Sequence, residues 1–204
     1  IALAEYKNNI YVYSLDVNSG AGVARDLALK KAKGLFIAFH DSDDTWMPLK
    51  LELQVGLLES SDDIIVAHSA YNIMDYEGNN ITSIIPKKNI KYKDLYKFNP
   101  IATSTAIFRA DLIFAKNMPH IRARQDYAFW FKLLKNNNGL VIGMDDILAN
   151  YYKMPNSVSS SPFKNLRYNY HMFKHELGFG VMASLYMLFL NIFFRVRKHL
   201  GKEE

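Results

Sequence analysis

An α/β fold is what the 204-residue sequence predicts: a mixed, mainly parallel sheet flanked by helices, with a carboxyl-terminal amphipathic helical extension. Three observations carry that expectation. Short apolar runs alternate with stretches of helical periodicity, and turn clusters rich in Gly, Asn, Asp and Ser separate them. Residues of hydrophobic type make up 50% of the chain, enough to bury one sizeable core.

Taken in order, Tyr11-Val12-Tyr13-Ser14-Leu15 reads as a strand that runs into the turn cluster Asn18-Ser19-Gly20-Ala21-Gly22. Ala24, Leu27, Ala28 and Ala32 then recur at helical spacing, and Gly34 stands where a left-handed cap would end the helix. Leu35-Phe36-Ile37-Ala38-Phe39 is an unbroken apolar run, expected to be a strand buried on both faces of a parallel sheet, which completes a βαβ unit. After Asp41-Ser42-Asp43-Asp44, Pro48 falls in the first turn of a helix with Leu51, Val55 and Leu58 on one stripe. Ile64-Ile65-Val66-Ala67 is a further buried strand, and residues 71–75 lead to the turn Glu77-Gly78-Asn79-Asn80. Thr103-Ser104-Thr105-Ala106-Ile107-Phe108 reads as a strand. Tyr127, Trp130, Phe131 and Leu134 mark the buried face of a helix that begins near Asp126, and Leu140-Val141-Ile142-Gly143-Met144 reads as the last strand.

Residues 177–194 carry no charge and are followed by Arg195, Arg197, Lys198 and His199. A spanning helix needs about 20 apolar residues, and Gly178, Gly180, Ser184 and Asn191 interrupt this one. Three readings stand: an interfacial membrane helix through residues 177–199, a helix packed on the domain, or a span. The chain thus divides into an α/β domain over residues 1–160 and a helical, membrane-associating segment over 161–204. It begins at Ile1, which reads as an interior point of a longer chain, and Ile1-Ala2-Leu3-Ala4 is too short for the apolar core of a secretory signal.

The absence of cysteine excludes disulfides and thiolate metal sites, so a metal would be held by oxygen or imidazole. The formal charge of +5 suits an acidic partner, which could be nucleic acid, anionic lipid or a phosphorylated small molecule. Asp41, Asp43 and Asp44 directly follow a buried strand, at the sheet edge where open α/β folds place their ligands. Crowded carboxylates repel one another unless a cation neutralises them, and such hard ligands suit Mg2+ or Mn2+. An acidic turn that caps the next helix is the other reading. A calcium loop is excluded, because Trp46 occupies the position that needs glycine and a strand precedes the loop.

A longer pattern is specific. Asn18-Ser-Gly-Ala-Gly-Val-Ala-Arg25, then Gly34-Leu-Phe-Ile-Ala-Phe-His-Asp41-Ser-Asp43-Asp44-Thr-Trp46-Met-Pro48-Leu-Lys50-Leu-Glu52-Leu-Gln54, resembles the family 2 glycosyltransferases of the GT-A fold. Asp75-Tyr-Glu-Gly78, Thr103-Ser-Thr105, Gln125-Asp126-Tyr-Ala-Phe-Trp130, Tyr152-Lys153 and Asn156-Ser157-Val-Ser159 agree with it. The resemblance covers most of residues 10–160 and implies that a nucleobase-binding portion precedes Ile1.

What it implies is an inverting, metal-dependent transferase that builds a surface glycan such as lipopolysaccharide or capsule, peripheral at the inner face of the cytoplasmic membrane. Asp41 and Asp43 would meet Mn2+ or Mg2+ and the diphosphate of a nucleoside-diphosphate sugar, expected to be a UDP-sugar. Arg25, Asp44 and Lys153 would complete the donor site. Asp126 matches the catalytic base; the residue type and position also suit a helix N-cap. Thr103, Ser104, Thr105 and Trp130 would border a glycan or lipid-linked acceptor, although Trp46 and Trp130 also fit a core.

Three positions depart from the family pattern: Gln125 replaces an acidic partner, Asp26 stands where asparagine is common and reads as a surface change, and His40 replaces an apolar residue. Lys87, Lys88, Lys91, Lys93 and Lys97, interleaved with Tyr92 and Tyr96, would face an anionic acceptor or solvent. The rival functions are a basic nucleic-acid-binding module and an inactive family member serving as scaffold; nucleic acid is not the expected partner.

Overall fold

A computed structural model describes residues 10–112, 117–154 and 162–199. Its strands are β1 (Phe36–Ala38), β2 (Thr45–Trp46), β3 (Ile64–Met74), β4 (Asn80–Ile84), β5 (Asn89–Ile90), β6 (Ala106–Arg109) and β7 (Leu140–Tyr152). The helices are α1 (Gly20–Lys31), α2 (Lys50–Glu59), α3 (Gln125–Asn136), α4 (Pro162–His171) and α5 (Val181–His199). The strand order is β1-β6-β3-β7-β2, with β4 added to β3 and β5 to β7. Helices cover both faces. Val66 and Phe108 join the larger core with Phe129 and Trp130 of α3, while their neighbours Ala67 and Ile107 pack with Leu58 of α2, as the two-residue period of a strand requires.

The α/β architecture with a mixed sheet is as expected, but its parallel share is smaller. Only β3 and β7 run parallel among the described residues, with Ile64 opposite Leu140 at one end and Met74 opposite Tyr152 at the other. The pairs β1–β6, β3–β6, β2–β7, β3–β4 and β5–β7 are antiparallel. An apolar run reveals burial on both faces and is silent about the direction of the neighbouring strand.

Five local expectations are corrected. Residues 11–15 form no strand; Tyr11 and Val12 are exposed, because the run finds no partner at the free edge of β1. The helix α1 ends at Ala32 in extended conformation, and the left-handed glycine is Gly20 (φ 81°) at its start, not Gly34. Leu35 is exposed, outside the strand. On α2 the buried face is Lys50, Gln54 and Leu58, and Leu51 faces solvent. The run from Thr103 begins as a 3-10 turn, Thr103–Thr105, and becomes strand only at Ala106.

The carboxyl-terminal helices share the main core. Met172 and Phe173, in a π-helical turn between α4 and α5, and Met187 of α5 are buried there, with Phe173 packed against Tyr127 and Phe131. No helix among the described residues is long and apolar enough to cross a membrane. The motif Asn156-Ser157-Val158-Ser159 lies outside the described residues.

Candidate active site

The acidic loop follows β1 directly and is shaped as a tight turn, in which the Asp44 amide donates to the Asp41 carbonyl at 3.1 Å. Arg25 of α1 reaches across and forms an ion pair with Asp41. What brings α1 that close is local. Gly22 packs against the 119–121 segment so tightly that a Cβ would lie 2.6 Å from the Pro119 carbonyl oxygen. Beside it the Asp26 carboxylate, almost fully buried, accepts hydrogen bonds from Lys30 Nζ (2.7 Å), the Met118 amide (2.9 Å) and His120 Nε2 (2.9 Å). Burial alone would raise the Asp26 pKa, but these donors outweigh it and hold the group below the usual carboxylate range. Asp26 is therefore a structural clamp and not a surface change.

The loop is braced from below. The Asp41 amide donates to Ser104 Oγ at 3.2 Å, and Trp46 Nε1 donates to the Ser104 carbonyl at 2.7 Å. Lys50, completely buried, places its ammonium 4.4 Å from the centre of the Trp46 ring and donates to Gln54 Oε1. The amide of Gln54 in turn donates to the carbonyls of Ala67 (3.1 Å) and Thr105 (2.8 Å). A polar ladder thus ties the acidic loop, α2, β3 and the 103–105 turn together. Asp44 is buried and accepts from the Tyr152 amide (3.3 Å); burial raises its pKa, the Ser104 and Tyr152 donors draw it back, and Asp41 and Asp43 push it up again. His40 lies at the end of the sheet, where its Nε2 is 2.9 Å from the Asp44 carbonyl and its ring packs on Trp46.

Asp126 sits in the first turn of α3, whose N-cap is Arg124 in left-handed conformation (φ 67°). The N-cap reading of Asp126 is thereby corrected. Asn99 Nδ2 (2.9 Å) and Thr103 Oγ1 (3.4 Å) both donate to its Oδ2, so Oδ1 has no protein partner among the described residues. One carboxylate oxygen is held while the other is left for a ligand.

A cavity of about 1880 Å³ connects these groups: Arg25, Asp41, Asp43, Asp44, Thr103, Ser104, Thr105 and Asp126 all line it. Two expected residues do not. Lys153 is exposed beyond the end of β7 and does not line the cavity; its amide donates to the Met74 carbonyl at 2.9 Å. Trp130 is fully buried against Phe108 and Phe129, so it is core and not an acceptor platform. The basic stretch is mixed: Lys87 pairs with Asp94 at 2.9 Å, and Tyr92 and Tyr96 pack on Phe131 instead of facing outward. Sequence reasoning missed Asn99 and Arg124, which no short motif distinguishes from ordinary turn and helix residues; Lys50 and Gln54 stand in the family motif, but their pairing was not read from it.

Among the described residues no three carboxylate or imidazole groups converge as a preformed metal site. Asp43 is exposed and Asp41 half-buried beside Arg25, while Asp44 is turned inward to the Tyr152 amide. Small hard cations are commonly held by one or two carboxylates, with substrate phosphates and water completing the shell, and the Asp41 and Asp43 pair fits that arrangement.

The sheet, its two helical faces and the acidic loop at the strand end define the class: a GT-A-type α/β domain. The chain belongs to glycosyl transferase family 2, whose family model matches residues 2–114. It is 36% identical over 156 residues to the putative teichuronic acid biosynthesis glycosyltransferase TuaG of Bacillus subtilis, covering 76% of this chain and 61% of that one. It is 31% identical over 180 residues to the UDP-Glc:alpha-D-GlcNAc-diphosphoundecaprenol beta-1,3-glucosyltransferase WfgD of Escherichia coli, covering 88% of this chain and 70% of that one. The structure superposes on S. aureus TarS 1-349 in complex with UDP-GlcNAc with a TM-score of 0.65 at 20% identity, over 94% of this chain and 58% of TarS. The chain therefore spans about three fifths of TuaG and of that TarS structure.

Proposed function

We propose that this chain forms the catalytic part of an inverting glycosyltransferase that moves a sugar from a nucleoside-diphosphate donor, a UDP-sugar, to a hydroxyl of a growing surface glycan such as lipopolysaccharide or capsule. The observation that carries this reading is that the acidic loop and Asp126, 85 positions apart counting from Asp41, line one cavity. The names of the relatives support it, since WfgD is named for a UDP-sugar and a lipid-linked acceptor and the TarS structure holds UDP-GlcNAc.

In this mechanism Arg25 and Asp41 orient the nucleotide portion, and Thr103 with Asn99 fixes the carboxylate of Asp126 through Oδ2. Asp126 Oδ1 accepts the proton of the acceptor hydroxyl as that oxygen bonds to the anomeric carbon. The bond from that carbon to the diphosphate oxygen breaks on the opposite face, the electron pair leaves with the nucleoside diphosphate, and the configuration inverts. Bound at Asp43 and Asp41, Mn2+ or Mg2+ would supply neutralising charge for the diphosphate.

The test is calorimetric titration of the chain with UDP, with Mn2+ and with chelator. Asp43→Asn is expected to weaken UDP binding about tenfold or more in Mn2+ and to leave chelator-treated binding unchanged. Equal UDP affinity of the unmodified chain in Mn2+ and in chelator would remove the metal-dependent part of the reading.

Contact with the inner face of the cytoplasmic membrane belongs to the same proposal. On α5 the side chains of Met182, Leu185, Tyr186, Phe189 and Phe193 are exposed on one stripe while Ser184 and Met187 are buried, and Arg195 and Arg197 follow on exposed positions. An apolar stripe beside cationic groups suits the headgroup region of an anionic bilayer. Co-sedimentation with phosphatidylglycerol-rich vesicles should be strong for the chain and lost in Phe189→Asp; equal pelleting with and without vesicles, or no effect of that substitution, contradicts it.

A further inference from the structure

A second charged region of the same cavity lies where the start of α3, the 3-10 turn Tyr92–Tyr96 and α5 meet. The three elements are locked to one another. Tyr127 of α3 donates its hydroxyl to the Leu95 carbonyl, and Asn191 of α5 donates to the Tyr96 carbonyl at 3.0 Å. Lys97 places Nζ 4.9 Å from the centre of the Phe194 ring. Three cations, Lys97, Arg124 and Arg197, line the cavity at this junction.

Arg124 is the telling member. It holds a left-handed backbone conformation that a β-carbon makes unfavourable, and its Nε is buried with no hydrogen-bond partner. No carboxylate forms a salt bridge with it among the described residues, although the field of Asp126 reaches it from one side. From the other side Arg195 of α5 bears on it with like charge; burial and Arg195 both disfavour the charged guanidinium, and Asp126 and Tyr127 favour it. Asp94, the acidic group of the turn, is already occupied by Lys87 Nζ and the Lys91 amide, both at 2.9 Å, with Lys97 at 4.0 Å. A fold that gathers cations around a half-buried guanidinium with no salt-bridge partner among the described residues leaves room for an anion brought by a ligand.

We propose that Arg124, with Lys97 and Arg197, binds the diphosphate of a lipid-linked acceptor, so that the acceptor sugar is held by its anionic end while its hydroxyl meets Asp126. This rests on the transferase reading given above. The position is suited to that division of labour: Arg124 stands two residues before Asp126, and Arg197 lies on the helix whose outer stripe is apolar. A diphosphate seated here lies between the base and the side of the molecule where a lipid tail would leave. Guanidinium groups recognise phosphate oxygens by paired, charge-assisted hydrogen bonds, which an uncharged glutamine cannot supply.

The test uses inorganic diphosphate as probe, titrated into the full chain in chelator so that no metal site contributes, and UDP titrated in Mn2+ in parallel. Arg124→Gln is expected to weaken inorganic diphosphate binding about tenfold or more and to leave UDP affinity within about twofold. Arg124→Lys, which keeps the charge but not the paired donors, should bind between the unmodified chain and Arg124→Gln; Arg197→Gln, an exposed change that leaves the core intact, should cost several-fold. The proposal is overturned if the unmodified chain does not bind diphosphate in chelator, if Arg124→Gln binds it unchanged, or if Arg124→Gln weakens UDP as much as diphosphate, which would assign the residue to the donor. Absence of UDP binding with diphosphate binding intact would instead remove the transferase reading and leave only the anion site.

Discussion

Asp126→Asn is expected to lower kcat by about 10²- to 10⁴-fold while leaving UDP affinity within about twofold. Asparagine is nearly isosteric and can still accept from Asn99 and Thr103 through its amide oxygen, so the first turn of α3 keeps its shape. What it cannot do is take a proton from the acceptor. A steady-state assay of sugar transfer, with UDP binding measured alongside, separates the two contributions. Full activity of Asp126→Asn would reject Asp126 as the base, and equal losses in binding and turnover would make it a structural residue of the cavity wall.

The second large effect concerns stability. Burial lowers the Lys50 pKa from the ordinary 10.5 to about 7. Below about pH 7 the folded and unfolded chains both hold the proton, and the full cost of burying an ammonium is present. Between about 7 and 10.5 the unfolded chain keeps a proton that the folded chain has released, so stability rises with pH. A shift of that size corresponds to about 5 kcal/mol over the whole window, of which about 3 kcal/mol falls below pH 9.5, before tyrosines begin to titrate. Urea unfolding at several pH values from 7 to 9.5 should show this rise in the unmodified chain and a flat profile in Lys50→Met. The slope is the readout, because Lys50→Met also leaves Gln54 Oε1 without its donor at every pH. Parallel slopes for the two proteins would show that Lys50 does not titrate in this range.

The elements that pack by pattern were legible in the sequence. Leu58, Ile64, Val66, Phe108, Tyr127, Phe131 and Val141 are buried where their periodicity puts them, because apolar spacing is a direct record of which face meets a core. Strand direction was not legible, since the same apolar run suits a parallel or an antiparallel neighbour. Nor was the inward face of α2: an amphipathic reading places leucines inside, whereas Lys50 and Gln54 are buried because each finds a partner there, Trp46 and Gln54 for the one and two carbonyls for the other. Within the candidate site, the acidic loop, Arg25 and the residues Thr103, Ser104 and Thr105, though not their turn conformation, could be read from a long ordered motif. Asn99 could not, because its role depends on a fold that carries it to a carboxylate 27 positions away. Lys153 and Trp130 failed for opposite reasons: one is too far outside the cavity and the other too deep beneath it.

The ion pair between Arg25 and Asp41 bears on how the cavity treats a visitor. The guanidinium acts as a built-in stand-in for a cation, which lets three carboxylates share one short turn. A bare divalent ion arriving there would meet a competitor already in place. Under the proposed transferase reading a metal–nucleotide complex would not, because its phosphates would offer Arg25 a new partner as Asp41 is released. On that reading the loop would be biased against the metal by itself and towards the metal that comes with its cargo, a form of selectivity that needs no moving part beyond one arginine side chain.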